Sequence, residues 1–216
     1  MPEAMRTAIL ISGRGSNMET LLKASASPDY PVEMALVLSN NPEAKGLTTA
    51  SQAGIKAVAL DHRDYADRDS FESALTARLL EAGIEMICLA GFMRLLNPAF
   101  VTKWHNRLIN IHPSLLPAYK GLDTYARAID AGETYAGCSV HYVRPEMDAG
   151  PIILQAAVHI LDGDTPEGLA SRVLAEEHRI YPEALKMVAL GKVDVRNEKV
   201  VGYDPDAAIA ALENQG

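Results

Sequence analysis

Asn110 and His112 stand two residues apart at the end of an apolar run, RLINIH at 107–112, directly before Pro113. Alternate side chains of a strand share a face, so an amide donor and a protonatable imidazole converge on one spot, while Leu108, Ile109 and Ile111 supply the apolar remainder. Pro113 and Pro117 donate no ladder hydrogen bond, which predicts a strand that ends at His112 and presents it at a rim. Further on, RPEMDAGPII at 144–153 carries Glu146 and Asp148. A carboxylate of this loop that met His112 would favour the imidazolium. An amide donor, an imidazole able to hold a proton and a carboxylate to keep it charged make a set suited to carbonyl chemistry. Taken singly, each has a plainer reading: a polar pair satisfying backbone groups at a strand end, and an ordinary turn. No Ser or Cys occupies a recognisable nucleophile setting, which favours direct transfer between substrates over a covalent intermediate.

Two more places hold chemistry-bearing residues. ISGRGSNMETLL at 11–22 puts Gly13 and Gly15, then Ser16 and Asn17, between a first strand and a first helix. Backbone N–H groups and the helix dipole favour an anion there, although a glycine turn with a Ser or Asn helix cap gives the same pattern. Met18 stands where a dinucleotide fingerprint needs its third glycine, SNNPE after the second strand lacks the ribose-binding acid, and the Gly-Lys-Ser/Thr ending of a P-loop is absent. The other place is the long helix expected from about 166 to 190. Projected at about 100° per residue, Leu169, Val173, Leu174, Ile180, Tyr181 and Leu185 share a sector, with Arg172, Glu176 and Arg179 opposite. Glu177 falls near the centre of the apolar sector. An unpaired buried carboxylate is strongly unfavourable, so Glu177 must meet a ligand at a cleft, or a core-facing arginine or backbone group. EEHRIYP at 176–182 lacks His-Glu-x-x-His spacing, His178 reads as a packed or rim histidine, and no His/Cys cluster indicates a metal.

The elements that position these residues follow from periodicity. Strands are expected at 7–12, 33–39, 56–60, 85–91 and 107–112, with helices at 17–26, 44–54 and 69–83 between them, the last two ending at glycines. Continuous apolar strands joined by helices imply an α/β, Rossmann-like fold: a mainly parallel twisted sheet flanked by helices. After 121 come a helix near 124–131 and strands at 136–143 and 151–160 around the loop that holds Asp148. The 216 residues suffice for one large domain, and no repeat or linker divides them. With 28 acidic against 20 basic residues, a net charge of −8 argues against nonspecific binding to nucleic acid or an anionic membrane surface and leaves a small anionic substrate open at a local site. Cys88 and Cys138 lie in apolar runs and read as buried free thiols. The start MPEAMRTAIL has no signal-peptide pattern, no apolar run reaches a membrane span, and a cytoplasmic protein is expected.

The stretches ISGRGSN, LAGFMRLL, INIHPSLLPAYKG, EMDAGPI and EEHRIYP, in this order and spacing, resemble the folate-dependent formyltransferase family. The Asn-x-His-Pro-Ser-Leu-Leu-Pro and Asp-x-Gly-Pro patterns are shared by members that use 10-formyltetrahydrofolate; the first and last stretches are similar to the phosphoribosylglycinamide formyltransferases in particular. The resemblance implies the formyltransferase fold in a single domain over 1–216. Within it, 1–112 is a ribotide-phosphate-binding half, 113–190 a catalytic and folate-binding half, and 191–216 a C-terminal extension. It implies transfer of a formyl group from 10-formyltetrahydrofolate, a co-substrate, to the amine of phosphoribosylglycinamide in purine biosynthesis, with no metal, in a monomer or homodimer. By the same resemblance Asn110, His112 and Asp148 are catalytic; Gly15, Ser16, Asn17 and Glu177 bind the ribotide; and Arg68, Met93, Arg94, Leu95 and Leu96, with Asn110, line the folate pocket. Without it, Arg68 reads as a surface arginine and 93–96 as a core strand end. His141, also matched by relatives, reads as a buried, hydrogen-bonded core histidine. Gly-Leu-Asp-Thr-Tyr at 121–125 departs from the Gly-Leu-His-Thr-His of many members, so no substrate contact is carried over from that loop.

Three alternatives sharpen this expectation. Formyltetrahydrofolate deformylase, a hydrolase, shares the catalytic set but normally carries an N-terminal regulatory domain, and here the first strand starts at Thr7. A tRNA formyltransferase needs a basic C-terminal domain, whereas the tail YDPDAAIAALENQG is acidic. A non-catalytic ribotide-binding module would have no use for Asn110, His112 and Asp148 together.

Overall fold

The first apolar run forms β1 (Met5–Ile11), with Ala8 to Ile11 wholly buried. The computed structural model describes residues 4–204 and 206–214. The chain divides into two compact units, one ending at Asn110 and one beginning at Ile111. In the first, β1 is followed by α1 (Ser16–Ser25), β2 (Val32–Ser39), α2 (Lys45–Gln52), β3 (Ala57–Ala59), a 3-10 turn (His62–Asp64), α3 (Arg68–Glu81), β4 (Met86–Leu89), α4 (Pro98–Lys103) and β5 (Leu108–His112), whose last two residues open the second unit. These strands pair in parallel in the order β3-β2-β1-β4-β5. Parallel neighbours need crossover connections, and the helices supply them. β1 and β4 have no exposed polar alternation, as strands covered on both faces require. The fold is α/β with a mostly parallel sheet, and the expected strands and helices fall within a few residues of their observed limits.

One helix was not expected. α4 begins at Asn97, whose side chain accepts the Phe100 amide at 2.8 Å, with Pro98 in the first turn. The segment before it, 92–97, is irregular rather than a core strand end, and Met93 and Leu95 are 77% and 60% exposed.

The second unit continues with α5 (Thr124–Asp130), the antiparallel pair β6 (Tyr135–Tyr142) and β7 (Ile152–His159), α6 (Pro166–Ala189), a short hairpin of β8 (Val195–Arg196) and β9 (Lys199–Val200), and α7 (Ala207–Glu213). α6 packs on β6 and β7 through Leu169, Val173, Ile180, Tyr181 and Leu185. Each such side chain contributes roughly 1.5–3 kcal/mol by leaving water. Leu174, assigned to the same sector, is only half-buried. Arg172 and Arg179 point away and pair with Asp164 and Glu176.

β6 also buries a histidine. His141 is 2% exposed, and its Nδ1–H donates to the Tyr142 carbonyl at 2.9 Å. Burial pushes its pKa down from the usual 6.5 to about 4, against the raising effects of the Tyr142 carbonyl and of Asp148. Below pH 6.5 the unfolded chain protonates this residue while the folded chain does not, so its contribution is complete above pH 6.5 and is lost as pH falls toward 4. The loss is on the order of 3 kcal/mol. His141→Asn keeps a donor for the Tyr142 carbonyl and removes the titration. Urea denaturation at pH 7, 5.5 and 4.5 should show a flatter profile in the variant; equal slopes would rule out His141 as the source.

Candidate active site

The segment after β5 is shaped by buried polar groups of the second unit. Ser139 on β6 donates to the Ser114 carbonyl at 2.6 Å and accepts the Leu116 amide at 3.0 Å; Gln155 on β7 donates to the Leu116 carbonyl at 3.0 Å and to Ser139 Oγ. Ser114 Oγ closes the turn by donating to the Ala118 carbonyl at 2.7 Å. The chain thereby doubles back, and the Tyr119 carbonyl lies 3.1 Å from His112 Nε2, whose N–H donates to it. His112 is 6% exposed, and its Nδ1 lies 3.5 Å from Asp148 Oδ2. The structure therefore brings together the imidazole and the carboxylate singled out in sequence. Glu146, the other acid of that loop, instead pairs with Lys120 at 3.3 Å in solvent.

Asp148 is held by its own loop. Its φ of 48° lies in the left-handed region, and its Oδ2 accepts the Gly121 amide at 3.0 Å. A Cβ on Gly150 would lie 1.7 Å from the Tyr142 carbonyl oxygen, so only glycine permits this return of the chain onto β6. His141 Nε2 faces Asp148 Oδ1 at 3.7 Å. The sequence anticipated its burial but not this approach, which brings the end of β6 against the loop that joins it to β7. Asn110 is half-buried and shares β5 with His112, two positions along.

In the first unit Ser12 to Asn17 line a cavity of about 260 Å³ together with Ala90, Gly91 and Met93. Gly15 occupies the N-cap of α1 at φ 76°, so neither Ser16 nor Asn17 stands at the N-cap position that the cap reading of this loop gives them. Amides of a first helical turn lack intrahelical acceptors, and an anion is their natural complement. Arg14 is exposed on the same loop. Met93 and Leu95 are exposed, Arg94 stacks over the Phe71 ring at 5.6 Å, and the Asn97 amide donates to Glu72 Oε1 at 2.9 Å. Burial raises the pKa of Glu72, which is 4% exposed. Arg68 is exposed at the first turn of α3.

Glu177 is 6% exposed in the apolar face of α6, as its position in the sequence required. Its charge is felt by Tyr125 and Cys138, both pushed well above their ordinary pKa values, chiefly by burial and then by Glu177. Tyr125 lies in the first turn of α5, so the 121–125 stretch, read as a loop from the sequence, is a loop only as far as Asp123. No group of three or more His, Cys, Asp or Glu side chains among the described residues is arranged to hold a metal ion.

Comparison with known proteins fits this geometry. Phosphoribosylglycinamide formyltransferase of Escherichia coli (strain K12) is 40% identical over 189 residues, 88% of this chain and 89% of that protein. Trifunctional purine biosynthetic protein adenosine-3 of Gallus gallus is 46% identical over 191 residues, and there the aligned part spans 88% of this chain but only 19% of the relative. The crystal structure of glycinamide ribonucleotide transformylase 1 from Symbiobacterium toebii superposes with a TM-score of 0.90 at 44% identity, covering 93% of this chain and 94% of that one. Residues 5–185, from β1 into α6 and including Asn110, His112 and Asp148, match the formyl transferase family model, and the chain belongs to that family.

Proposed function

We propose that the chain transfers the formyl group of 10-formyltetrahydrofolate to the amine of phosphoribosylglycinamide, a step of purine biosynthesis. The observation that carries this reading is the buried His112–Asp148 pair at 3.5 Å, next along the chain to Asn110. The amine nitrogen attacks the formyl carbon, and the C–N bond that forms drives the carbonyl electron pair onto oxygen. Asn110 and the His112 imidazolium donate to that oxyanion. The bond to the folate nitrogen then breaks, that nitrogen takes its proton from His112, and the proton shed by the attacking amine restores the imidazolium. Both ring nitrogens are engaged, so one contact yields to substrate. Leaving a neutral carbonyl costs less than leaving a carboxylate, hence Nε2 gives up Tyr119 while Nδ1 stays with Asp148.

Gly15, Ser16 and Asn17 hold the ribotide phosphate and Glu177 contacts the rest of the ribotide. Met93, Arg94, Leu95 and Leu96 line the folate ring system, with Arg68 beside them and Asn110 at the formyl group. The exposure of Met93 and Leu95 supports this assignment, since apolar side chains held together in water mark a binding surface. The site works within one formyltransferase domain, as a monomer or homodimer in the cytoplasm. No helix among the described residues is long and apolar enough to cross a membrane.

The direct test supplies both substrates and follows formylated ribotide and free formate together. Formylated ribotide should account for the folate consumed; formate released without ribotide would identify a hydrolase. Replacing Ser16 and Asn17 by Ala should raise the KM for ribotide about tenfold or more and leave that for folate within about twofold, since each charge-assisted bond contributes to one substrate only. A larger effect on folate would reverse the placement of the substrates.

The acid role of His112 has its own test. Asp148→Asn leaves the imidazolium without its counter-charge, so the rate should fall strongly at neutral pH and recover partly toward lower pH. His112→Ala should be slower by about 10²–10⁴ at every pH, because no acid remains. A pH profile of Asp148→Asn parallel to wild type would remove Asp148 from the mechanism.

A further inference from the structure

Ser12 joins two segments that the proposed function gives to different substrates. It lies between β1 and the anion loop, and its hydroxyl donates to Asn40 Oδ1 at 2.5 Å while accepting the Met93 amide at 2.7 Å. Its own amide donates to the Gly91 carbonyl at 3.1 Å. A serine hydroxyl has one proton, and with that proton directed to Asn40 a lone pair is turned toward Met93. Asn40 is a buried residue, 6% exposed, and its main-chain carbonyl, distinct from the Oδ1 that Ser12 reaches, accepts His62 Nδ1–H at 3.0 Å. On the opposite flank the Gly46 amide donates to the Gly13 carbonyl at 3.1 Å, so the loop is braced from α2 as well. The Met93 side chain, 77% exposed, provides little packing to hold this turn in place. At its N-terminal end the 93–97 segment is fixed through the main chain, and the partner is the Ser12 side chain.

We propose that Ser12 is a positioning residue that latches the Gly91–Met93 turn onto the anion loop, so that an anion at Gly13–Asn17 and a folate on Met93–Leu96 raise each other's affinity. An anion that orders residues 13–17 also orders the hydroxyl that holds Met93, and the second ligand then meets a turn already in place. Linkage makes the effect reciprocal. The proposal rests on the substrate placement given above.

The test is titration of wild type, Ser12→Ala and Ser12→Thr with a folate analogue that cannot give up its one-carbon group, with and without saturating phosphoribosylglycinamide, together with hydrogen exchange at the Met93 amide. In wild type the ribotide should tighten the analogue about fivefold or more. In Ser12→Ala this ratio should fall below about twofold, and Ser12→Thr, which keeps the hydroxyl, should restore it. Ribotide should slow exchange at Met93 in wild type and not in Ser12→Ala. A merely structural serine would lower Tm or weaken both ligands alike and leave the ratio unchanged, which would overturn the proposal, as would the absence of coupling in wild type. The Ser16, Asn17 double variant separates the two levels. If it leaves ribotide affinity untouched, the placement of the substrates is wrong; if it weakens ribotide and Ser12→Ala still shows full coupling, the latch alone is wrong.

Discussion

Asp148 sets one carboxylate against two imidazoles, and the second unit is built to hold it there. The residue stands in the left-handed region at φ 48°, a conformation that costs a non-glycine residue about 1–3 kcal/mol and persists only where neighbours enforce it. The neighbours are the Gly121 amide on Oδ2 and the close return of the chain at Gly150. Burial then sets the state of one of the two imidazoles. His141 is driven to the neutral form with its Nδ1–H committed to the Tyr142 carbonyl, so it turns a lone pair rather than a proton toward Oδ1. Oδ2 faces the other imidazole, His112, whose Nδ1 lies 3.5 Å away and whose Nε2–H reaches the Tyr119 carbonyl.

The same logic of buried polar groups shapes the loop that carries Tyr119. Ser139 and Gln155 are buried among apolar neighbours on β6 and β7, where an unsatisfied hydroxyl or amide costs about 1–3 kcal/mol. Both are satisfied by the main chain of Ser114 and Leu116, and Gln155 Oε1 in addition accepts the Tyr203 hydroxyl. The turn after His112 is thus specified by side chains more than twenty residues away, and the position of the Tyr119 carbonyl follows from it.

This division explains what could be read in the sequence. The strand end at His112, the α/β alternation and the buried Glu177 were legible because each follows from local rules: proline lacks an amide, strands alternate, and a helix has a fixed periodicity. α4 left a local signal as well, Asn97 followed by Pro98, but its short apolar stretch was masked by the run ahead of it. What was not legible came from tertiary approach. Nothing near Ser12 in sequence names Met93 as its partner, and nothing near His141 names Asp148. The plain reading of 93–96 as a core strand end failed because irregular backbone, pinned at Met93 by Ser12 and at Asn97 by Glu72, keeps those apolar side chains in water.

The electrostatics of the second unit's interior also bear on the type of reaction. Cys138 is a free thiol, yet burial first and the charge of Glu177 next hold it protonated, and the same two causes keep Tyr125 in its phenol form. A thiol becomes a useful nucleophile when an adjacent positive charge or a base lowers its pKa, and here the main influences act in the opposite sense. A carboxylate on the apolar face of α6 therefore adds to burial in keeping the neighbouring thiol and phenol protonated, and the mechanism proposed above accordingly assigns bond formation to the incoming amine and proton movement to His112.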